Sequence, residues 1–178
     1  MSVSRIVLVG FMGAGKSVVG RRLAREIAWS FVDADRMVEL KAGRAVQEIV
    51  ESDGEEHFRR LEDRAMEELL QARRVVVASG GGWAAREGRL DGLPPEAVTV
   101  WLDVSPEEAV RRAAHQGAPR PLLEVRDPEA RARALLEARR EHYSRATFRV
   151  DTDGRTVEDV TARIRRMLAE PGTEIDAP

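Results

Sequence analysis

The sequence predicts an α/β fold, a parallel sheet covered by helices on both faces, and three features of the chain predict it. Short apolar runs rich in β-branched residues recur without internal alternation, as strands buried on both faces require. Stretches of helical periodicity separate these runs, and that alternation implies parallel pairing through right-handed crossovers. A glycine-rich segment, Gly10 to Ser17, joins the first run to the first helix, where sheets of this kind present ligands. The 178 residues suit one compact domain, expected over residues 1–169, with a polar, proline-flanked and flexible tail at 170–178.

Ile6-Val7-Leu8-Val9 reads as the first strand, followed by an amphipathic helix from Lys16 to Ala28. Phe31-Val32-Asp33 is a shorter strand, and helical patterns run over Asp35 to Ala42 and over a long stretch around Glu55 to Arg73. Val75-Val76-Val77-Ala78 and Val98-Thr99-Val100-Trp101-Leu102 are buried strands, and Pro106 to Ala114 is a helix opened by proline. The segment from His115 to Pro128 holds three prolines, counting Pro128, with a glycine and no sustained period. That composition predicts a long functional loop, a mobile lid at about residues 113–127. Pro128 to Tyr143 reads as a helix, Thr147-Phe148-Arg149-Val150 as a fifth strand and Val157 to Leu168 as a closing helix.

Composition narrows the chemistry. Charged residues make up 34% of the chain but nearly cancel, to a formal net charge of −2, so no broad positive field would hold a phosphate backbone or an anionic membrane. Neither nucleic acid nor membrane is expected as a partner. The start runs directly into a strand pattern, and the expected location is the cytoplasm. The absence of cysteine excludes disulfides and thiol catalysis, and three histidines leave little for a histidine-built metal site. Catalysis is left to carboxylates, arginines, lysine and backbone.

Gly10-Phe11-Met12-Gly13-Ala14-Gly15-Lys16-Ser17 satisfies the pattern G-x-x-x-x-G-K-[ST] between a strand and a helix. Glycines let the backbone wrap an anion, with successive N–H groups aimed at the β-phosphate and the positive end of the helix dipole behind them. Lys16 would bridge the β- and γ-phosphates of ATP, and the Ser17 hydroxyl would ligate Mg²⁺. Arginine carries nearly all the positive charge, and Lys16 and Lys41 are the only lysines, so this position points to a need for a compact ammonium.

Asp33 and Asp35 follow at the carboxyl end of the second strand. One could hold the Mg²⁺ shell while the other orients or deprotonates an acceptor hydroxyl; alternatively, either could cap the helix that follows. Ser79-Gly80-Gly81-Gly82 follows the third strand, as a place of close backbone approach or as a tight turn. Arg59 and Glu62 lie three apart on one helix face, a spacing that often makes only a surface bridge.

In this order the motifs resemble the shikimate kinase family. They are GFMGAGKS at Gly10 to Ser17, F-x-D-x-D at Phe31 to Asp35, GE-x-x-FR-x-x-E at Gly54 to Glu62, GGG at Gly80 to Gly82, RPLL at Arg120 to Leu123 and L-x-x-R-x-x-x-Y at Leu136 to Tyr143. The resemblance spans about Ser4 to Arg155. It implies a nucleoside-monophosphate-kinase-like fold with a five-stranded parallel sheet, a mobile lid, and transfer of the ATP γ-phosphoryl group to the 3-hydroxyl of shikimate. It implies that Lys16, Asp35 and Arg120 are catalytic, with Arg120 reaching the phosphates from the lid. Gly13, Ala14, Gly15, Lys16, Ser17, Val18, Arg112 and Arg120 would bind ATP. Asp35, Arg59, Gly80, Gly81, Gly82 and Arg139 would bind shikimate, with Glu62 one turn beyond Arg59 holding that guanidinium in place, and Ser17 and Asp33 would hold the metal. The enzyme would act as a monomer.

Two departures from the family pattern carry expectations. Val18 replaces the usual threonine after the loop serine, removing a hydroxyl contact to the α-phosphate. The lid is one residue longer, which leaves open whether Arg111 or Arg112 meets the adenine. A gluconate kinase on the same fold, a silent nucleotide-binding module and an arginine-rich nucleic-acid binder are the alternatives.

Overall fold

The computed structural model describes residues 2–115, 123, 125–170 and 174–176. Its strands are β1 (Ser2–Val3), β2 (Arg5–Val9), β3 (Ser30–Asp33), β4 (Val75–Ala78), β5 (Ala97–Asp103), β6 (Phe148–Asp151) and β7 (Glu174–Ile175). The helices are α1 (Lys16–Glu26), α2 (Ala34–Ala42), α3 (Val46–Asp53), α4 (Glu55–Leu69), α5 (Pro106–His115), α6 (Pro128–Tyr143) and α7 (Val157–Leu168). A single turn of 3₁₀ helix, Trp83–Ala85, follows the triple glycine.

The main sheet has five parallel strands in the order β3-β4-β2-β5-β6. The chain lays down β3 and β4 on one side of β2 and then crosses to build β5 and β6 on the other. The carboxyl ends around β2 therefore form the switch point at which such sheets bind ligands. Continuous apolar strands suit this position because both faces are covered. Ile6 and Leu8 pack under α1 and α7 with Val100, Leu102 and Ile164, while Val7 and Val9 pack on the other face with Met66, Leu69, Trp101 and Tyr143. Helices α2, α3 and α4 enclose a smaller cluster around Val38, Ile49, Phe58 and Ala65.

Helix α1 buries Val19, Gly20, Leu23 and Ala24. A Cβ at Gly20 would lie 2.9 Å from Cδ2 of Phe31 and overlap the ring beside it, so glycine here lets α1 close on β3. Its helix-propensity cost, about 1 kcal/mol, is offset by that contact, and the approach brings Ser17 and Asp33 together. Thr156 caps α7 reciprocally with Asp159: Thr156 Oγ1 accepts from Asp159 N at 3.1 Å, and Thr156 N donates to Asp159 Oδ2 at 3.2 Å.

Two regions differ from the sequence reading. Val46–Asp53 forms α3, where no element was expected, because Glu48 caps its start by accepting from Ala45 N at 2.9 Å and Ile49 anchors it in the small cluster. The tail, expected to be flexible, contributes β7, which pairs in parallel with β1. Polar partners that sequence distance conceals hold it there. Asp176 N donates to Val3 O at 2.8 Å, the Asp176 carboxylate accepts from Ser2 and Arg73, both at 2.6 Å, and its carbonyl accepts from Trp29 Nε1 at 3.2 Å.

Candidate active site

The loop between β2 and α1 curls over the end of the sheet. Gly13 has φ +78°, and a Cβ there would lie 2.8 Å from Ala109 O, so both conformation and space require glycine. Gly15, at φ +91°, immediately precedes α1 without a side-chain cap, leaving the first amides of the helix for an anion. Lys16 Nζ donates to Gly10 O at 2.8 Å and Phe11 O at 3.0 Å, so the ammonium lies across the loop. Ala14 is buried beneath it, while Val18 is 48% exposed beside the loop.

Asp33 caps α2 and at the same time bonds Ser17. Its Oδ1 caps α2 by accepting from Arg36 N at 3.3 Å, and its Oδ2 accepts from Ser17 Oγ at 2.5 Å. Capping and pairing with Ser17 are therefore compatible. Asp35, one residue into α2, points inward, and its buried Oδ1 has no hydrogen-bond partner. Burial, with the negative charges of Glu62 and Asp33, pushes its carboxyl up from 3.8 to about 6 against the opposing Lys16 and Arg59.

The triple glycine is a place of close approach rather than a spare turn. A Cβ at Gly80 would overlap Glu62 Oε1 and lie 2.6 Å from Asp35 Oδ1, and one at Gly82 would lie 2.7 Å from Arg59 Nη2. Gly81 O accepts from Arg139 Nη1 at 3.1 Å and from Tyr143 Oη at 2.6 Å, and the Arg139 guanidinium stands 5.5 Å from the centre of the Phe11 ring. Arg59 and Arg139 thus meet at the same turn from α4 and α6.

Glu62 is no surface partner. It lies on the apolar stripe of α4 with Phe58, Ala65, Met66 and Leu69, and it is fully buried. Its Oε2 accepts from Arg59 Nη1 at 2.9 Å and Arg86 Nη2 at 3.3 Å, while Oε1 has no partner. Burial pushes the Glu62 carboxyl up, with the two arginines opposing.

Of the two arginines left open for the nucleotide, the structure brings Arg112 to the loop. It donates to Gly13 O at 3.2 Å, Thr152 Oγ1 at 3.1 Å and Thr152 O at 2.6 Å. Arg111 is exposed, and its guanidinium bonds to Glu108. Arg120, expected as the lid arginine, lies outside the described residues, as do 116–122 of the expected lid. The residues that sequence reasoning missed are Thr152, Phe11 and Arg86. A basic residue placed just after the glycine turn was the one available signal for Arg86.

A loop of this form at the switch point, facing a walled pocket of carboxylates and arginines, defines a P-loop small-molecule kinase. The shikimate kinase family model matches residues 12–169. A shikimate kinase of Symbiobacterium thermophilum is 44% identical over 169 residues, covering 94% of this chain and 97% of that protein. The solved shikimate kinase of Acinetobacter baumannii in complex with shikimate superposes with a TM-score of 0.89 at 32% identity, covering 97% of this chain and 96% of that one. The chain belongs to the shikimate kinase family, kinases that transfer phosphate to shikimate. A gluconokinase of Sinorhizobium meliloti, at 21% identity and a TM-score of 0.59 over 93% of this chain and 95% of that one, shares the fold alone.

Proposed function

We propose that the site divides an ATP:shikimate phosphoryl transfer among its residues in the following way. The amides of Gly13 to Ser17 and the Lys16 ammonium hold the β- and γ-phosphates, and Arg112 borders the nucleotide beside Thr152. Arg59 and Arg139 clamp the shikimate carboxylate at the Gly80 to Gly82 turn, and the inward oxygen of Asp35 receives the ring hydroxyls. Asp35 then orients the 3-hydroxyl on the γ-phosphorus and takes its proton as the new P–O bond forms and ADP leaves. Arg120, carried by a lid at about residues 113–127, is assigned to the phosphates.

Ser17 and Asp33 fit Mg²⁺, because a hydroxyl and a carboxylate 2.5 Å apart offer the hard oxygens it takes along with phosphate and water. When bound, the ion supplies charge neutralisation between the β- and γ-phosphates. Among the described residues no cluster of three or more histidine, aspartate or glutamate ligands occurs, in keeping with a metal shared with the substrate. One chain carries every assigned group, so the active unit proposed is a monomer, working in the cytoplasm on small molecules alone. Among the described residues no helix is long and apolar enough to cross a membrane.

One observation carries this reading: two buried carboxylate oxygens without partners, Asp35 Oδ1 and Glu62 Oε1, flank Gly80 beside Arg59. A buried acceptor left unbonded costs about 1–3 kcal/mol, and a hydroxylated acid would satisfy both the acceptors and the cations. ADP release with ATP, Mg²⁺ and either shikimate or gluconate tests it. Turnover should require shikimate; no shikimate-dependent ADP would overturn the reading, and faster turnover of gluconate would favour the gluconate kinase.

Arg59→Ala is expected to raise the shikimate KM roughly 10- to 100-fold, the worth of a charge-assisted bond at about 1.5–3 kcal/mol. The ATP KM should stay unchanged. Equal effects on both substrates would remove Arg59 from the carboxylate clamp.

A further inference from the structure

We propose that Arg86 is a positioning residue for shikimate binding, holding the buried Glu62 carboxylate that in turn aims Arg59. This rests on the reading that Arg59 binds the substrate carboxylate.

Arg86 closes the 3₁₀ turn that follows the triple glycine, and from there it reaches both Glu62 and Asp63. Its guanidinium grips Asp63 with two nitrogens, Nη2 to Oδ1 at 2.6 Å and Nη1 to Oδ2 at 3.0 Å, while Nη2 also donates to Glu62 Oε2 at 3.3 Å. Arg89 Nη2 adds a bond to Asp63 Oδ2 at 2.5 Å. Arg89, Asp63, Arg86, Glu62 and Arg59 thus form a chain of alternating charge that runs from the surface into the pocket. The bidentate grip on Asp63 sets the plane of the Arg86 fork, and the fork reaches the same oxygen of Glu62 that holds Arg59.

The chain matters because Arg59 has a competing partner. It also donates to Glu55 Oε1 at 3.0 Å, on a carboxylate that is 71% exposed. The Gly82 turn packs against the guanidinium and the buried Phe58 ring lies 5.2 Å from it, while the Glu62 contact is the hydrogen bond that ties it to a buried carboxylate. The charged and titratable groups facing Glu62 are Arg59 and Asp63 on its own helix, Arg86 from the turn, Asp35 from α2 and Tyr143 from α6. Burial, Asp63 and Asp35 all disfavour its charge, and Arg59 and Arg86 are the cations that sustain it. Without Arg86 the carboxylate would take up a proton more readily, and Arg59 would shift toward Glu55 and away from the substrate.

Arg86→Met tests this through the separate Michaelis constants. The shikimate KM should rise about fivefold or more, with kcat within about twofold and the ATP KM unchanged. The rise should grow as the assay moves from about pH 8 to about pH 6, where Glu62 is more easily protonated. Arg86→Lys, which keeps the charge but not the fork, should recover only part of the affinity, and in a Glu62→Gln background Arg86→Met should add nothing. An unchanged shikimate KM in a folded variant, or full additivity with Glu62→Gln, would overturn the proposal. Should Arg86→Met not fold, Arg86→Gln, which keeps a donor toward Asp63, carries the same comparison. Arg59→Ala in the same assay separates the two readings: if it weakens shikimate and Arg86→Met does not, only the positioning role fails.

Discussion

Lys16→Met is expected to lower turnover about 10³-fold, the scale on which removing a preorganised transition-state partner acts. The ammonium lies across the loop on the carbonyls of Gly10 and Phe11, at 2.8 and 3.0 Å, and in the proposed function it serves the β- and γ-phosphates from that loop. Methionine has nearly the same reach but neither charge nor donors. The two carbonyls then lose a shared partner and the leaving group loses its cation. Lys16→Arg should fail almost as badly, because a planar fork cannot replace a compact ammonium inside a closed backbone ring. ADP release at saturating ATP and shikimate measures the loss. A shikimate-induced thermal shift should survive in both variants, since the acceptor pocket is walled by other residues. A rate within tenfold of the parent would show that the loop binds nucleotide without Lys16 acting on the transferred group.

The main sheet was legible because each of its strands repeats one physical condition. Val75 to Ala78 lies between two strands and under helices on both faces, and its side chains are buried without alternation. α6 was read over the range it occupies, because Pro128 opens it and Asp127 caps it, accepting from Ala130 N at 3.0 Å. Helix α3 and the β1–β7 pair were not legible for the opposite reason. α3 has eight residues and one fully buried side chain, too short a stripe to display a period. β7 is held to β1 by partners more than 100 residues away, Ser2, Trp29 and Arg73, none of which marks the tail as ordered.

At the site, sequence order named the side chains but not their burial. Arg59 and Glu62 have the spacing of an ordinary surface bridge, and only the apolar neighbours Phe58, Ala65, Met66 and Leu69 betray that Glu62 faces the core. The choice between Arg111 and Arg112 depended on rotation about α5, which register alone leaves undetermined. Thr152 supplies the geometry by accepting from Arg112 through both its hydroxyl and its carbonyl. Asp33 seemed to demand a choice between capping a helix and facing the loop, yet one oxygen caps α2 while the other bonds Ser17.

Asp35→Asn should lower kcat by about 10²- to 10³-fold and at the same time make the empty protein more stable at neutral pH. Both effects come from the same carboxylate. With its inner oxygen buried and unpartnered, and with Glu62 and Asp33 nearby, its carboxyl is raised from 3.8 to about 6. A raised carboxyl favours the folded state fully below about pH 4, where it is neutral both folded and unfolded. That contribution is lost as pH rises through about 6 and the buried group must ionise. At about 1.4 kcal/mol per pH unit the shift amounts to roughly 3 kcal/mol, and an unpartnered amide in the same place gives back about 1, so Asn should stabilise by about 2 kcal/mol. For a chain of this length that is roughly 4–8 °C in melting temperature. Melts of both proteins in EDTA without ligand, at about pH 7.5 and about pH 4.5, check the sign, and the gap should close toward the lower pH. A variant that loses both turnover and stability at neutral pH would mean that Asp35 is held by partners in the empty site. One that keeps its turnover would end the role of Asp35 in orienting the 3-hydroxyl. Folding thus disfavours the ionised Asp35 carboxylate, and in the proposed function the substrate's hydroxyls are what offset that cost.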